Sequence, residues 1–449
     1  MSFRRLGVCP EIVELLRDKG IIVPSEVQLG CIPPILEGND IIACAQTGSG
    51  KTAAFVIPIL QALMSEPRPF YALIITPTRE LAHQIGEQTA GLNLVQGSPI
   101  CTVQVITGGR NIVQQSVQLS QGPHVVVATP GRLADLLRTQ KAAGPNSEQE
   151  WSLSRLKVLV LDEADRLLED NFGKDLAEIM TSLPKVRQSL LFSATFSPAI
   201  KTAVEAARMK ALSENRRPPL VWQAKGIEAV APGATAATVD TLSQHYLITK
   251  PELKEAFLVY IVDQFLTESP HSLIIIFSNK CKWCHLLGLI MSAVGIQSAV
   301  LHSSMPQRDR ITALTSFKSS HIRVLIATDL ASRGLDFPTV DVVINHNVPI
   351  RPKDYVHRVG RTARAGKAGM ALTLADLFEI KRLRAIQTYI GKKLQRFEVN
   401  ESQVAKIIAE VTIARRNAER KLDELRFDEK REIIKAKNLL KAQSSKKMT

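Results

Sequence analysis

The sequence predicts an α/β protein of two tandem domains, each a mostly parallel sheet covered by helices, with a charged helical extension at the C-terminus. Three observations predict it. Short, near-continuous apolar runs alternate with helical stretches along most of the 449 residues, as strands buried on both faces do. From about Arg208 to Thr241 the alternation dissolves around Arg216-Arg217-Pro218-Pro219 and Ala231-Pro232-Gly233-Ala234. A gap of that length favours a flexible hinge between domains. The alternation then resumes and gives way to a charged tail from Glu398. The predicted division is residues 1–212, a linker over 213–241, residues 242–395 and an extension over 396–449.

Composition bounds the function classes. A chain of this length can bury two or three cores, and its 45% apolar content is ordinary for a soluble protein. No apolar run approaches the roughly 20 residues of a bilayer span, so no membrane role is expected. Met1-Ser2-Phe3-Arg4-Arg5-Leu6 lacks an apolar signal core, so secretion is not expected. The net charge of +14 suits a polyanion, most simply nucleic acid; an anionic membrane surface and a merely solvated basic surface are the alternatives. Cys281-Lys282-Trp283-Cys284 has metal-ligand spacing, but with no second pair the expected reading is a helix carrying two small apolar residues.

In chain order, residues 10–20 have helical periodicity and a Gly20 stop. Pro24-Ser25-Glu26-Val27-Gln28 starts a second helix, with Gln28 in its first turn. The Gln28 amide has the donor and acceptor needed for the N6/N7 edge of adenine. Ile41-Ile42-Ala43-Cys44 reads as a buried strand and leads into Ala45-Gln46-Thr47-Gly48-Ser49-Gly50-Lys51-Thr52, then a helix. That is the context of a phosphate-binding loop, here with Ala45 where the strict pattern has Gly. Gly48 and Gly50 permit the tight turn. Lys51 can reach the β- and γ-phosphates, and the Thr52 hydroxyl can ligate Mg²⁺.

Further strands are expected over 72–76, 102–106, 125–128, 156–161 and 189–192. Polar clusters fall at their carboxyl ends, where active residues of open α/β sheets sit. Thr76-Pro77-Thr78-Arg79, Thr107-Gly108-Gly109-Arg110 and Thr129-Pro130-Gly131-Arg132 each supply hydroxyls, free N–H groups and one Arg, which grip phosphates without reading bases. The strand 156–161 ends in Asp162-Glu163-Ala164-Asp165. There Asp162 would hold Mg²⁺ and Glu163 would polarise the attacking water. Ser193-Ala194-Thr195 closes the next strand.

The second block has strands over 244–248, 273–277, 298–301, 324–327, 340–344 and 370–374, without a second phosphate loop. In His357-Arg358-Val359-Gly360-Arg361-Thr362-Ala363-Arg364, a spacing of three puts Arg361 and Arg364 on one face of a helix. Two guanidiniums so placed suit a γ-phosphate offered by another domain.

This ordered set strongly resembles the DEAD-box RNA helicases, in which the phosphate loop does begin with Ala. The resemblance covers roughly residues 1–395 and implies two RecA-like domains and RNA-stimulated ATP hydrolysis with Mg²⁺. It implies nucleotide contacts from Phe3, 17 residues before Gly20, and from Gln28, Thr47, Gly48, Ser49, Gly50, Lys51, Thr52, Gly334 and Asp336, the last on the ribose. Ile21 stands where an adenine-stacking aromatic is common, so apolar packing is expected there. RNA contacts are implied for Pro77, Thr78, Arg79, Gly109, Thr129, Arg132, Gln307, Arg310 and Thr328, and coupling roles for Asp165, Ser193, Thr195 and His357. Arg361 and Arg364 become arginine fingers. Ser332 and Ala363 replace other small residues of the family pattern without an expected loss of activity.

Within the family, the 328–364 block, Val343-Ile344-Asn345-His346-Asn347 and the Phe427 segment look most like the DEAD-box protein 49 branch. That implies small-subunit ribosomal RNA processing in the nucleus and nucleolus, on pre-ribosomal particles, by a monomer that a protein activator can assist. An RNA clamp that does not unwind and a DNA translocase are the rivals that share these residues. A metabolic P-loop kinase explains neither the second block nor the paired arginines.

Overall fold

The structure, a computed structural model, describes residues 2–45, 48–95, 97–143, 151–169, 172–224, 241–329, 340–363 and 368–424. These divide into two compact units, the first ending at Ala224 and the second starting at Thr241.

The first unit contains α1 (Pro10–Asp18), α2 (Glu26–Leu36), β1 (Ile41–Cys44), α3 (Lys51–Ser65), β2 (Ala72–Ile75), α4 (Arg79–Gly91), β3 (Leu94–Val95), β4 (Ser98–Pro99), β5 (Val103–Ile106), α5 (Ile112–Ser120), β6 (Val125–Ala128), α6 (Pro130–Ala143), β7 (Val158–Asp162), α7 (Ala164–Glu169), α8 (Gly173–Thr181), β8 (Gln188–Ser193), α9 (Pro198–Ser213) and β9 (Leu220–Gln223). Seven strands form one sheet in the order β5-β6-β2-β7-β8-β1-β9, and every pairing in it is parallel. The central strands β1, β2, β6 and β7 are buried throughout, which is why they read as unbroken apolar runs. Apolar clusters fill both faces.

The predicted linker is corrected here. Helix α9 runs to Ser213, and Leu220–Gln223 extends the sheet by pairing with β1. The sequence hid this strand because it is a partly exposed edge, with Leu220 and Val221 facing solvent. Residues 225–240 lie outside the described residues. Trp222 fixes the edge by lying against Gly30 of α2, where a built Cβ would sit inside the indole. Gly30→Ala should therefore displace Trp222 and destabilise the unit by about 1–3 kcal/mol. Thermal unfolding and tryptophan fluorescence check this; an unchanged melting temperature would refute the contact.

The second unit contains β10 (Leu242–Ile248), α10 (Lys254–Glu268), β11 (Ile274–Ser278), α11 (Cys281–Ala293), β12 (Ser298–Leu301), α12 (Gln307–Lys318), β13 (Val324–Thr328), β14 (Val342–Asn345), α13 (Pro352–Val359), β15 (Gly369–Ala375), α14 (Ile380–Ile390), β16 (Gln395–Arg396) and α15 (Glu401–Glu424). Its sheet has the order β12-β13-β11-β14-β15-β10-β16, again with parallel pairs. Cys281 opens α11, and Cys284 is buried with its Sγ against Ile326 O at 3.1 Å.

The predicted boundary at 395 is also corrected. β16 joins the sheet, and α15 buries Val404, Val411, Ala414, Ala418 and Leu422 in the core of this unit. Its charged pattern concealed a docked face. Arg415 on α15 bonds Glu255 Oε2 on α10 at 3.0 Å and lies over Trp283, while His346 Nε2 sits 3.5 Å from Glu255 Oε1. Burial alone would raise the Glu255 carboxyl, but His346 and Arg415 hold it below its usual value. Residues 425–449, including the Phe427 segment, lie outside the described residues.

Candidate active site

The first-unit site begins where β1 ends. Ala45 is buried, and its N–H donates to Ser193 O of β8 at 3.0 Å. Gly48 (φ 82°) and Gly50 (φ 94°) take left-handed backbone, the conformation that needs glycine. Lys51 opens α3 and donates to Ala45 O at 2.6 Å and to Ser193 O at 3.5 Å, so its ammonium lies over the loop. Ser49 Oγ is buried with no hydrogen-bond partner among the described residues, and Thr52 is half-buried one step along the helix. Thr47 lies outside the described residues.

Gln28 braces this loop. It is 4% exposed; its Oε1 accepts from Ser25 N–H at 2.9 Å and its Nε2 donates to Gly50 O at 3.2 Å. Ser25 and Gln28 form a reciprocal capping box at the start of α2. The Ser-x-x-Gln spacing was the sequence signal for it. Each end of the amide keeps capacity for one more hydrogen bond. Phe3, at 2% exposure, is packed in the apolar core of this unit.

β7 delivers the carboxylates. Asp162 is its last residue, 4% exposed, and its Oδ1 accepts from Glu163 N–H at 3.0 Å. Burial pushes the Asp162 carboxyl up to about 7; Lys51 opposes this and the neighbouring Glu163 adds to it. Glu163 holds φ at 52°, a strained backbone for a non-glycine residue, with its Oε2 3.4 Å from Arg166 Nη1. Asp165 Oδ2 accepts from Thr195 Oγ1 at 2.9 Å, and Ser193 Oγ donates to Thr195 O at 2.7 Å. One carboxylate cluster is thus tied directly to the end of the neighbouring strand.

The ends of β5, β6 and β2, adjacent in the sheet, gather the predicted RNA contacts. Thr78 caps α4 by accepting from Leu81 N–H at 3.3 Å. The Arg79 guanidinium lies against Gly108 and Gly109, where a Cβ on Gly109 (φ 89°) would come within 2.7 Å of Nη1. Gly109 therefore serves by letting Arg79 approach. Arg132 Nη1 donates to Arg110 O at 2.8 Å, and burial together with Arg79 holds the Arg132 pKa below its usual value. Arg79 and Arg132, placed after the adjacent strands β2 and β6, make an electropositive spot suited to phosphate. Thr129 is buried at the end of β6, and Pro77 precedes Thr78.

In the second unit, Gln307 opens α12, and Arg310 and Thr328 are buried. The Thr328 Oγ1 has no hydrogen-bond partner among the described residues. Burial and Arg310 push the adjoining His302 down to about 4, so it is neutral at physiological pH. Arg361 is 2% exposed but does not lie on a helix, which corrects the one-face prediction. Helix α13 stops at Val359; Arg361 N–H and Thr362 N–H then make i→i−3 bonds, and Thr362 bridges Val340. Chain pairing with residue 340 wins over helical spacing. His357 is half-buried on α13. Gly334, Asp336, Ser332 and Arg364 lie outside the described residues.

Sequence reasoning missed Arg358. It is 1% exposed and donates to both Asp329 carboxylate oxygens at 2.6 Å, to Asn279 Oδ1 at 2.6 Å, to Asn345 Oδ1 at 3.2 Å and to Asn347 O at 3.0 Å. It also lies over the Phe277 ring. This guanidinium ties the ends of β11, β13 and β14 to α13. Polar residues at the ends of three strands, Asn279, Asp329 and Asn345, were the sequence signal for it.

The family models for the DEAD/DEAH box helicase and the helicase conserved C-terminal domain match residues 25–203 and 254–366. Among curated proteins, the chain is 46% identical to human "Probable ATP-dependent RNA helicase DDX49", covering 98% of this chain and 86% of that one. It is 40% identical to the Schizosaccharomyces pombe "ATP-dependent rRNA helicase rrp3", covering 93% and 83%. Among solved structures, S. cerevisiae Dbp5 bound to RNA and ADP BeF3 matches at 28% identity and a TM-score of 0.74, covering 92% of this chain and 99% of that one. Mss116p bound to ssRNA and AMP-PNP matches at 27% and 0.76, covering 92% and 82%.

Proposed function

The chain belongs to the DEAD-box family of ATP-dependent RNA helicases, and from that premise we propose that ATP and RNA together close the two units and locally unwind short RNA duplexes. The observation that carries this reading is the Thr195–Asp165 hydrogen bond at 2.9 Å, which ties the carboxylate cluster to the end of the neighbouring strand. Through it, a change at the nucleotide can reach the sheet edge that grips phosphates.

In this reading Lys51 leaves its backbone carbonyls to hold the β- and γ-phosphates. Gln28 uses its spare amide capacity on adenine. Gly48, Ser49, Gly50 and Thr47 supply N–H and hydroxyl groups to phosphate, Gly334 contacts the nucleotide and Asp336 holds the ribose. Thr52 and Asp162 would hold Mg²⁺. The fit is supported by a carboxylate buried at the end of β7 and pushed up to about 7 even beside Lys51, a place where a further cation would be stabilising. When bound, the ion neutralises charge on the transferring phosphoryl. Glu163 polarises the attacking water, and Arg361 and Arg364 complete the site from the second unit. RNA contacts from both units engage phosphates and sugars, so binding should be steeply salt-dependent with little sequence preference, and 2′-OH contacts favour RNA.

The physiological substrate in this reading is pre-ribosomal RNA in the nucleus and nucleolus, acted on by a monomer with a protein activator. A relative named as an rRNA helicase supports it. ATPase assays with single-stranded RNA, with DNA and with neither test the coupling, and strand displacement tests unwinding. RNA-stimulated turnover with displacement is expected. RNA-independent turnover would overturn the coupling, and turnover without displacement would leave an ATP-gated clamp.

A further inference from the structure

A turn past the carboxyl end of β15 carries a surface that none of these steps uses. Asp376 accepts hydrogen bonds from the N–H groups of Phe378 and Glu379 at 2.8 and 3.0 Å, and Glu379 Oε2 accepts in return from Asp376 N–H at 3.3 Å. Lys254, 4% exposed, clamps this turn by donating to Glu379 Oε2 at 2.6 Å, with Asp376 Oδ2 at 3.8 Å. The turn so fixed presents Phe378 at 88% exposure, the highest among the described exposed large hydrophobic residues. A rigid turn that holds a phenyl ring in water is a poor use of an apolar side chain unless a ligand covers it.

Immediately after it, residues 380–396 hold six basic residues and no acidic one. Lys381, Arg382, Arg384, Lys392, Lys393 and Arg396 are all exposed, and none makes an ion pair among the described residues. Lys381 and Arg384 share the face of α14 opposite buried Leu383, Ile386 and Ile390. Lys381 and Arg382 stand in the first turn, where the helix dipole disfavours cations, and like charges three apart repel. Helix α15 arranges its charge differently, pairing Arg415 with Glu419 four residues on at 3.1 Å. Cations gathered against the dipole beside a bare aromatic ring complement a polyanion with unpaired bases. β15 and β13 are three inter-strand steps apart in the sheet, about 14 Å at the usual strand spacing. The surface therefore shares a sheet edge with Gln307, Arg310 and Thr328.

We propose that Phe378, Lys381, Arg382 and Arg384 form a second RNA contact on this unit. They take the flank of the RNA held by the strand ends, with phosphates on the basic face and one unpaired base stacked on Phe378. The proposal rests on the RNA-helicase reading. Its test compares single-stranded RNAs of about 8 and about 25 nucleotides, with a non-hydrolysable ATP analogue over a salt series. Lys381→Ala/Arg382→Ala/Arg384→Ala should weaken the longer RNA about tenfold or more and make its log–log salt slope shallower by about 2. Binding of the shorter RNA, and the ATPase it stimulates, should be unchanged. Phe378→Ala should weaken the longer RNA about fivefold or more with no change of slope. A triple variant with parental affinity and slope on the longer RNA would overturn the proposal. Parental ATPase that ignores the shorter RNA would instead overturn the helicase reading, and this surface with it.

Discussion

Glu163→Gln is expected to leave ATP binding intact and to lower turnover by about 10² to 10⁴-fold, the usual worth of a positioned general base. The amide keeps the side chain's shape but polarises water far less than a carboxylate. The backbone favours this role. Glu163 is held at φ 52° by its N–H bond to Asp162, so the side chain's direction is fixed by a strained turn. Single-turnover hydrolysis alongside binding of a fluorescent ATP analogue separates the two effects. Because Arg166 lies 3.4 Å from Glu163 Oε2, melting temperature is measured in parallel. Parental turnover by a folded variant would remove Glu163 from the chemistry.

Arg361→Ala should reduce RNA-stimulated turnover on the order of 10³-fold or more, the range for loss of an arginine finger. Arg361 is 2% exposed, so truncation also threatens packing. Arg361→Lys resolves this. It keeps charge and most of the volume but loses the planar fork that engages phosphate oxygens in pairs. The Lys variant should bind RNA and melt near the parent, yet fail in turnover. If the Lys variant turns over normally, Arg361 is not a finger.

Much of this site was legible because its chemistry is local. Phosphate loops, carboxylates and paired hydroxyls sit at strand ends, and a strand buried on both faces announces its own end by the first polar residue. Asp162, Ser193 and Thr328 were placed this way, each the final residue of its strand. Gly48 and Gly50 were legible because only glycine relieves the left-handed turn.

What failed depended on partners distant in sequence. Leu220–Gln223 reads as linker because an edge strand is half-exposed, and only its pairing with β1 makes it structure. Helix α15 reads as a charged extension outside the second domain because its buried face is sparse, and α10 and α11 supply the surface that covers it. Arg361 reads as helical from its spacing, but the bridge from Thr362 to Val340 ends the helix first. Arg358 gives no signal of its own; its role comes from acceptors at Asp329, Asn279, Asn345 and Asn347. The sequence by itself determined two parallel α/β units, the glycine-rich loop after β1 and the carboxylates at the end of β7, since backbone conformation and burial period are written locally. The tertiary structure alone decided where the first sheet ends, which helix belongs to the second core and which arginine is structural, because those depend on long-range pairing and on charges finding partners away from water.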